Sequence, residues 1–384
     1  MLSASLLIPF VMVVAALLAG FFSVRRLRRL RSLPIGKFRR ITERVILSLV
    51  TLVAVVAAAS TTYNAIAHEV FAAHHPAPGQ IYVVNGYKMH LWCAGEGSPT
   101  IILESGAGND SLVWGKVKPG LSKTTRVCSY DRAGTGWSEP QPGPRDSDHI
   151  VEQLHGLLQQ ADITGPIVLM GHSIAGMHMR DYVTRYPQNV KGIIFVDGST
   201  PMQQDHFPEE LRAKMPRLIW TQILVGGAAL YLGVPRVLGQ CHPGKGPEDW
   251  EVGDLQGEDG CSVNVPVAAG EYTAFEQDGL ETIHTGPYGH LPILIFSQDP
   301  ANTVDKNMSE SLSPQAFAEM NSTWNQMQED LKKLSTRSRR IIAKGSGHYI
   351  ELYRSDLLLK EVPPFIEEVR GNAPPPEYGT TMTE

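Results

Sequence analysis

Two stretches of 23 residues carry no charge: Leu2 to Val24 and Val45 to Ala67. A helix of about 20 apolar residues spans the hydrocarbon core of a bilayer, so each stretch is long enough to cross one. Between them runs RRLRRLRSLPIGKFRR, with eight basic residues and no acid. Short loops rich in Lys and Arg stay on the cytoplasmic side. The pattern predicts a two-helix membrane anchor over residues 1–67 with a basic loop at 25–44. Both ends then face outward, and everything after Ala67 lies on the extracytoplasmic side. A cleaved signal peptide is the competing reading. It would open with positive charge and have a shorter apolar core, whereas no Lys or Arg precedes the first run here. The second run is thinned by Ser60, Thr61, Thr62 and Asn64. If only the first run spanned, the same charges would leave the body in the cytoplasm.

Charge is unevenly spread along the 384 residues. Nine of the 34 Lys and Arg lie before position 45, with a single acid, Glu43. The rest of the chain is acidic, which argues against nucleic acid as a partner, because phosphate contacts need a basic face. All four cysteines, Cys93, Cys128, Cys241 and Cys261, lie beyond the anchor. An even number in an exported body permits disulfides. Cys241 with Cys261, and Cys93 with Cys128, are the pairings to expect, with four free thiols as the alternative.

After a linker at 68–80 the body alternates between strand and helix patterns. IYVV and KMHLWC flank Asn85-Gly86, a strong hairpin signal. TIILE, TRVCSY, IVLM, GIIFVD, LPILIF and RIIAKG read as buried strands. Helical periodicity covers about 147–160, 174–186, 314–334 and 356–370. The expected fold class is α/β, a mostly parallel sheet covered on both faces. Its core would comprise residues 81–199 and 289–371. Residues 200–288 interrupt the rhythm and read as a helical lid insertion. Within it, LIWTQILVGGAALYLGV is apolar for 17 residues. A buried lid helix is the expectation there, a third membrane-touching segment the alternative. The tail 372–384 reads as disordered.

The chemistry concentrates at IVLMGHSIAGMHMR, where a strand meets Gly171-His172-Ser173 and turns into a helix. This is the setting of a nucleophile elbow. The turn is tight enough to demand small residues two positions either side of the serine, here Gly171 and Ala175. A serine hydroxyl is a weak nucleophile and needs a base oriented by an acid. His348, in the glycine-rich loop after the last strand, is the expected base. Asp299, at the end of LPILIF, is the expected acid; Asp197, at the end of GIIFVD, is the alternative, and Asp305 a weaker third. The oxyanion donors expected are the amides of Ile174 and, from ESGAGND, Ala107. In YDRAGTGWS, Asp131 and Arg132 are read as structural residues pinning a loop beside the elbow. No metal-ligand spacing appears, and no cofactor is expected.

Taken together, LESGAG, YDRAGTGWS, GHSIAG, SQDP and SGHYIEL resemble the α/β-hydrolase superfamily, and within it the serine esterases and lipases. The resemblance covers roughly residues 80–370. It implies an eight-stranded sheet with a lid between strands six and seven, and Ser173, His348 and Asp299 as nucleophile, base and acid. Two positions depart from the family pattern: Ser105 precedes Gly106 where His is usual, and Ser297 stands where Gly is common. The function expected is hydrolysis of an ester with an apolar group, at the membrane, through an acyl-enzyme. Thioesters, amides and amino-terminal peptide bonds suit the same machinery. A ligand-binding protein without turnover is the reading from another class.

Overall fold

The computed structural model describes residues 4–30, 36–241, 261, 265–301, 310–374 and 376–384. Asp305 and most of the Gly/Pro-rich stretch between Cys241 and Cys261 lie outside them. The chain divides into two compact units.

The first unit holds α1 (Ala4–Leu30), α2 (Lys37–His74) and, from the middle of the chain, residues 221–241 with Cys261. The two helices pair as an antiparallel hairpin: Arg26 meets Glu43 at 2.7 Å, and Gly20 faces Thr51. At 27 and 38 residues they are about 40 and 57 Å long, more than the ~30 Å of a hydrocarbon core. Two helices are therefore long and apolar enough to cross a membrane. Their apolar side chains point outward; Leu17, Phe22, Val45 and Leu49 are all more than half exposed. The helices outrun the expected spans at both ends. Arg25 to Leu30 and Lys37 to Arg44 extend the helices instead of forming a loop, and α2 absorbs most of the linker, stopping just before Pro76.

The second unit is built on nine strands: β1 (Gln80–Val84), β2 (Tyr87–Ala94), β3 (Thr100–Glu104), β4 (Val127–Tyr130), β5 (Ile167–His172), β6 (Val190–Val196), β7 (Ile293–Gln298), β8 (Ser338–Ala343) and β9 (Thr381–Thr383). They lie in the order β1-β2-β4-β3-β5-β6-β7-β8-β9. β1 and β2 form the hairpin around Asn85-Gly86, whose φ values of 53° and 84° suit a primed turn. β2 also runs antiparallel to β4; the remaining pairs are parallel. Period-two alternation splits each central strand between two cores. Ile193 and Phe195 of β6 pack with Leu157 and Tyr182 on one face; Ile194 and Val196 pack with Val362 and Phe365 on the other. Helices Ser147–Gln160 and Ala175–Arg185 supply the first cover, helix Ser355–Arg370 the second. Cys93 opposes Cys128 across β2 and β4, and they form one disulfide; Cys241 and Cys261 form the other.

Three expectations need correction. The sheet has nine strands among the described residues, not eight, because the tail returns and Thr381–Thr383 adds an edge strand beside β8. Residues 200–288 are not one lid element: those up to Trp220 and from Val265 belong with the sheet, whereas 221–241 belong with α1 and α2. The 17-residue apolar run is not a buried lid helix either. Leu224 and Val225 are 65% exposed.

Candidate active site

Strand β5 ends at His172, and the chain reverses through Ser173 into helix Ala175–Arg185. Ser173 takes φ 57°, a left-handed conformation costing roughly 1–3 kcal/mol for a non-glycine residue. Its backbone is fastened to the next strand: the Ser173 amide donates to Val196 O, and Ser173 O accepts from the Ser199 amide at 2.7 Å. The demand for small neighbours is visible in the packing. A Cβ on Gly171 would stand 2.7 Å from Ala175 Cβ, and one on Gly176 would stand 2.6 Å from Ser199 O. The second restriction therefore falls on Gly176, one residue later than expected, and Ala175 fits because Gly171 leaves it room.

Ser173 Oγ lies 3.0 Å from His348 Nε2. On the other side of the ring, His348 Nδ1 lies 2.6 Å from Asp197 Oδ2. Asp197, not Asp299, is the acid the structure brings to the histidine. Asp197 closes β6, the direct neighbour of β5, and is fully buried with φ 48°. Its other oxygen, Oδ1, accepts from the Gln298 amide and from Trp324 Nε1, each at 2.9 Å. Asp299 ends one strand further from the serine. Its two oxygens accept from the amides of Ala301 and Gly345, both at 2.9 Å, joining the loop after β7 to the loop that carries His348. The His348 side chain keeps 30% exposure, so it can be reached from solvent.

Ile174 heads the helix directly after the serine, and Ala107 lies in the loop after β3. Among the described residues, neither amide donates to another protein group. That loop is held from beneath by Arg132. Its guanidinium donates to Ser105 O and Gly106 O at 2.7 Å, to Glu104 at 3.1 Å and to Glu271 at 2.8 and 3.0 Å. Glu271, from helix Val265–Thr282, also accepts from the Gly108 amide at 2.7 Å. Arg132 therefore pins the glycine-rich loop, as its place in YDRAGTGWS suggested. Asp131 supports the neighbouring turn by accepting from the Ser111 and Trp137 amides. Ser105, in place of the usual His, turns its hydroxyl to Asp110 O at 2.7 Å.

Sequence reasoning missed Glu271, Trp324, Gln298 and Glu351. Glu271 and Trp324 sit on elements whose pattern carries no motif; Gln298 lies in SQDP, but it contributes its backbone amide, which no side-chain pattern marks. Glu351 lies within SGHYIEL, three residues after the histidine, and is fully buried. Its Oε1 is 3.2 Å from His172 Nδ1 without hydrogen-bond alignment, and His172 Nε2 reaches His348 O at 3.1 Å. Burial pushes the Glu351 carboxyl up to about 8 and holds the His172 imidazole well below its usual value, so at neutral pH the pair is uncharged. An unfolded glutamate titrates near 4.3. The folded chain therefore holds a proton that the unfolded chain releases as pH rises across that window. Its contribution to stability is complete at the acid end and lost as pH climbs through about 8. Glu351→Gln should abolish this dependence. Wild type should lose stability relative to the variant by at most about 1.4 kcal/mol per pH unit. Denaturant unfolding in detergent from pH 5 to 9 reads it; parallel stability curves would show that Glu351 titrates normally.

Residues 99–227 match the family model described as the alpha/beta hydrolase fold. Over 203 residues the chain is 31% identical to an uncharacterised protein of Schizosaccharomyces pombe, covering 45% of this chain and 37% of that one. Over 293 residues it is 25% identical to an AB hydrolase superfamily protein of Gibberella zeae, covering 71% and 87%. Several curated relatives match over only 22–51% of their own length. Among solved structures, a thermophilic esterase from Thermogutta terrifontis superposes with a TM-score of 0.52 at 16% identity, covering 76% of this chain and 98% of that one. The chain has the α/β-hydrolase fold.

Proposed function

We propose that this hydrolase is a membrane-anchored serine esterase. The observation that carries the reading is the continuous relay from Ser173 Oγ through His348 to Asp197, with spacings of 3.0 and 2.6 Å. Hydrogen-bond reach between nucleophile and base, and between base and acid, is the geometric requirement for acyl transfer. Ser173 Oγ attacks the ester carbonyl carbon while His348 Nε2 takes its proton. The amides of Ile174 and Ala107 receive the negative charge that develops on oxygen. Collapse of the tetrahedral adduct expels the alcohol, which takes the proton back from His348. Water, deprotonated by the same nitrogen, then releases the carboxylic acid and restores the serine. Asp197 stays ionised throughout and steadies the imidazolium. An enzyme held at a bilayer by two spanning helices meets lipid-soluble compounds, which favours an ester with an apolar group as substrate.

The basic residues between the two apolar runs favour a cytoplasmic position for that segment, and hence an extracytoplasmic body. The two disulfides support the same side, since structural disulfides persist outside the reducing cytosol. A membrane-impermeant fluorophosphonate tests both points at once. It should label wild type on intact cells and leave Ser173→Ala unlabelled. Equal labelling of the two proteins would remove Ser173 as nucleophile. Labelling of wild type only after lysis would reverse the topology and leave the chemistry standing.

A further inference from the structure

The run from Gln222 to Leu238 belongs to the unit of α1 and α2, not to the sheet. It is helical almost throughout: a wide turn at Gln222–Gly226, then short helices Gly227–Tyr231 and Val234–Val237. Its large apolar side chains face outward. Leu224, Val225, Val237 and Leu238 are each about 65% exposed and Val234 is 40% exposed. From Leu218 to Gln240 the only charge is Arg236. A surface helix in water would carry polar residues on its outer face; this one carries Leu and Val.

The chain break in the middle is treated as a break in lipid must be. Gly233, with φ 66°, interrupts the helices; its own amide donates to Leu230 O at 2.9 Å, and side chains of α2 add further donors to the carbonyls there. Ser60 of α2 donates to Leu232 O, and Asn64 Nδ2 donates to Leu230 O at 3.1 Å. Asn64 Oδ1 in turn accepts from Arg236 Nε at 2.7 Å. A Cβ on Gly233 would stand 2.7 Å from Asn64 Cβ, so the approach to α2 leaves no room for a side chain there. In water these carbonyls could be left to solvent; in hydrocarbon each needs a protein donor. The same contacts account for Ser60 and Asn64 among the polar residues that thin the second apolar run; Thr61 and Thr62 donate back to Ala57 O and Ala58 O within α2. Depth agrees as well. Counting about 20 residues from Val45, the first after Arg44, reaches Asn64 at the outward border of the hydrocarbon core. Arg236 then lies where a guanidinium can reach the headgroups. On the neighbouring stretch of α2, Tyr63 and Ile66 are likewise more than half exposed.

We propose that residues 222–238 form a third membrane element, seated against the outward end of α2 and covered by bilayer lipid. The proposal rests on α1 and α2 spanning the membrane. It implies that the catalytic chain is tied to the bilayer twice, once ahead of β1 and again between β6 and β7.

The test uses the full chain in phosphatidylcholine vesicles containing two photoreactive phospholipids, one with a diazirine at mid-acyl depth and one with it close to the glycerol ester, followed by irradiation and peptide mapping. Lipid adducts should appear within 222–238 as well as in α1 and in residues 45–58 of α2. Adducts in α1 and α2 with none in 222–238 would overturn the proposal and assign that face to water, to a second copy or to another protein. Absence of adducts in all three would overturn it together with the span reading. Fluorophosphonate reactivity of Ser173, measured on the same vesicles, is independent of either result, so loss of the esterase reading and loss of this one are told apart.

Discussion

Asp197→Asn should lower turnover of an activated ester by about 10⁴-fold, the size expected when the group orienting a catalytic imidazole is changed from acceptor to donor. The surroundings of Asp197 leave the variant little choice of orientation. Oδ1 is held by two donors, the Gln298 amide and Trp324 Nε1. An asparagine keeps its oxygen there, because turning the amide would set N–H against N–H twice. Its NH₂ then occupies the place of Oδ2, 2.6 Å from His348 Nδ1, and donates to that nitrogen. The imidazole proton is forced onto Nε2, which faces Ser173 and can no longer accept its proton. Asp299→Asn is the comparison. It replaces one of two acceptors of backbone amides and costs about 1–3 kcal/mol of stability, with turnover reduced only as far as the His348 loop shifts. Steady-state kinetics on both variants, normalised to folded protein, decide the matter. A severe loss in Asp299→Asn beside a near-normal Asp197→Asn would return the acid role to Asp299.

Why the sequence favoured Asp299 has a physical explanation. Chain order and strand-end position describe both carboxylates equally well, since Asp197 and Asp299 each follow a buried parallel strand. What separates them is lateral position in the sheet, and that depends on strand order, which no local pattern records. The serine and histidine were legible because their local settings are unusual. A strand running into Gly-His-Ser-Ile-Ala-Gly leaves few conformations open, and Gly-Ser-Gly-His after a strand exposes one imidazole. Strands and helices of the body were legible from apolar periodicity, and helix Ser147–Gln160 lies where its repeat placed it. The tail strand was not, because three residues of Thr-Met-Thr carry no alternation that can be told from a loop. The run from Leu218 to Val234 was ambiguous for a deeper reason. Seventeen apolar residues suit a protein core and a membrane alike, and only the exposure of Leu224 and Val225 separates the two.

Arg132→Met is the second large effect, and it falls on stability and turnover through different contacts. The guanidinium is 3% exposed and lies between Glu104 and Glu271, which are themselves buried. Removing it leaves both carboxylates short of their counter-charge. Glu104 keeps Tyr130 Oη and His178, while Glu271 keeps the Gly108 amide and the more distant charge of Arg145. Breaking a buried pair in this way costs about 3–5 kcal/mol, a large part of a typical total stability. Ser105 O loses its Arg132 donor in the same step and Gly106 O keeps only the Asn109 amide of its own turn, so the loop presenting the Ala107 amide is no longer pinned to the buried guanidinium. Loss of one oxyanion donor is expected to reduce kcat by about 10²–10³-fold. A second substitution separates the two consequences. In Arg132→Met with Glu271→Gln, the uncompensated charge is gone, so part of the stability should return in a denaturant titration. The loop stays unpinned, so kcat should not recover. Recovery of both together would show that Arg132 serves only to neutralise Glu271 and that the loop finds its position unaided.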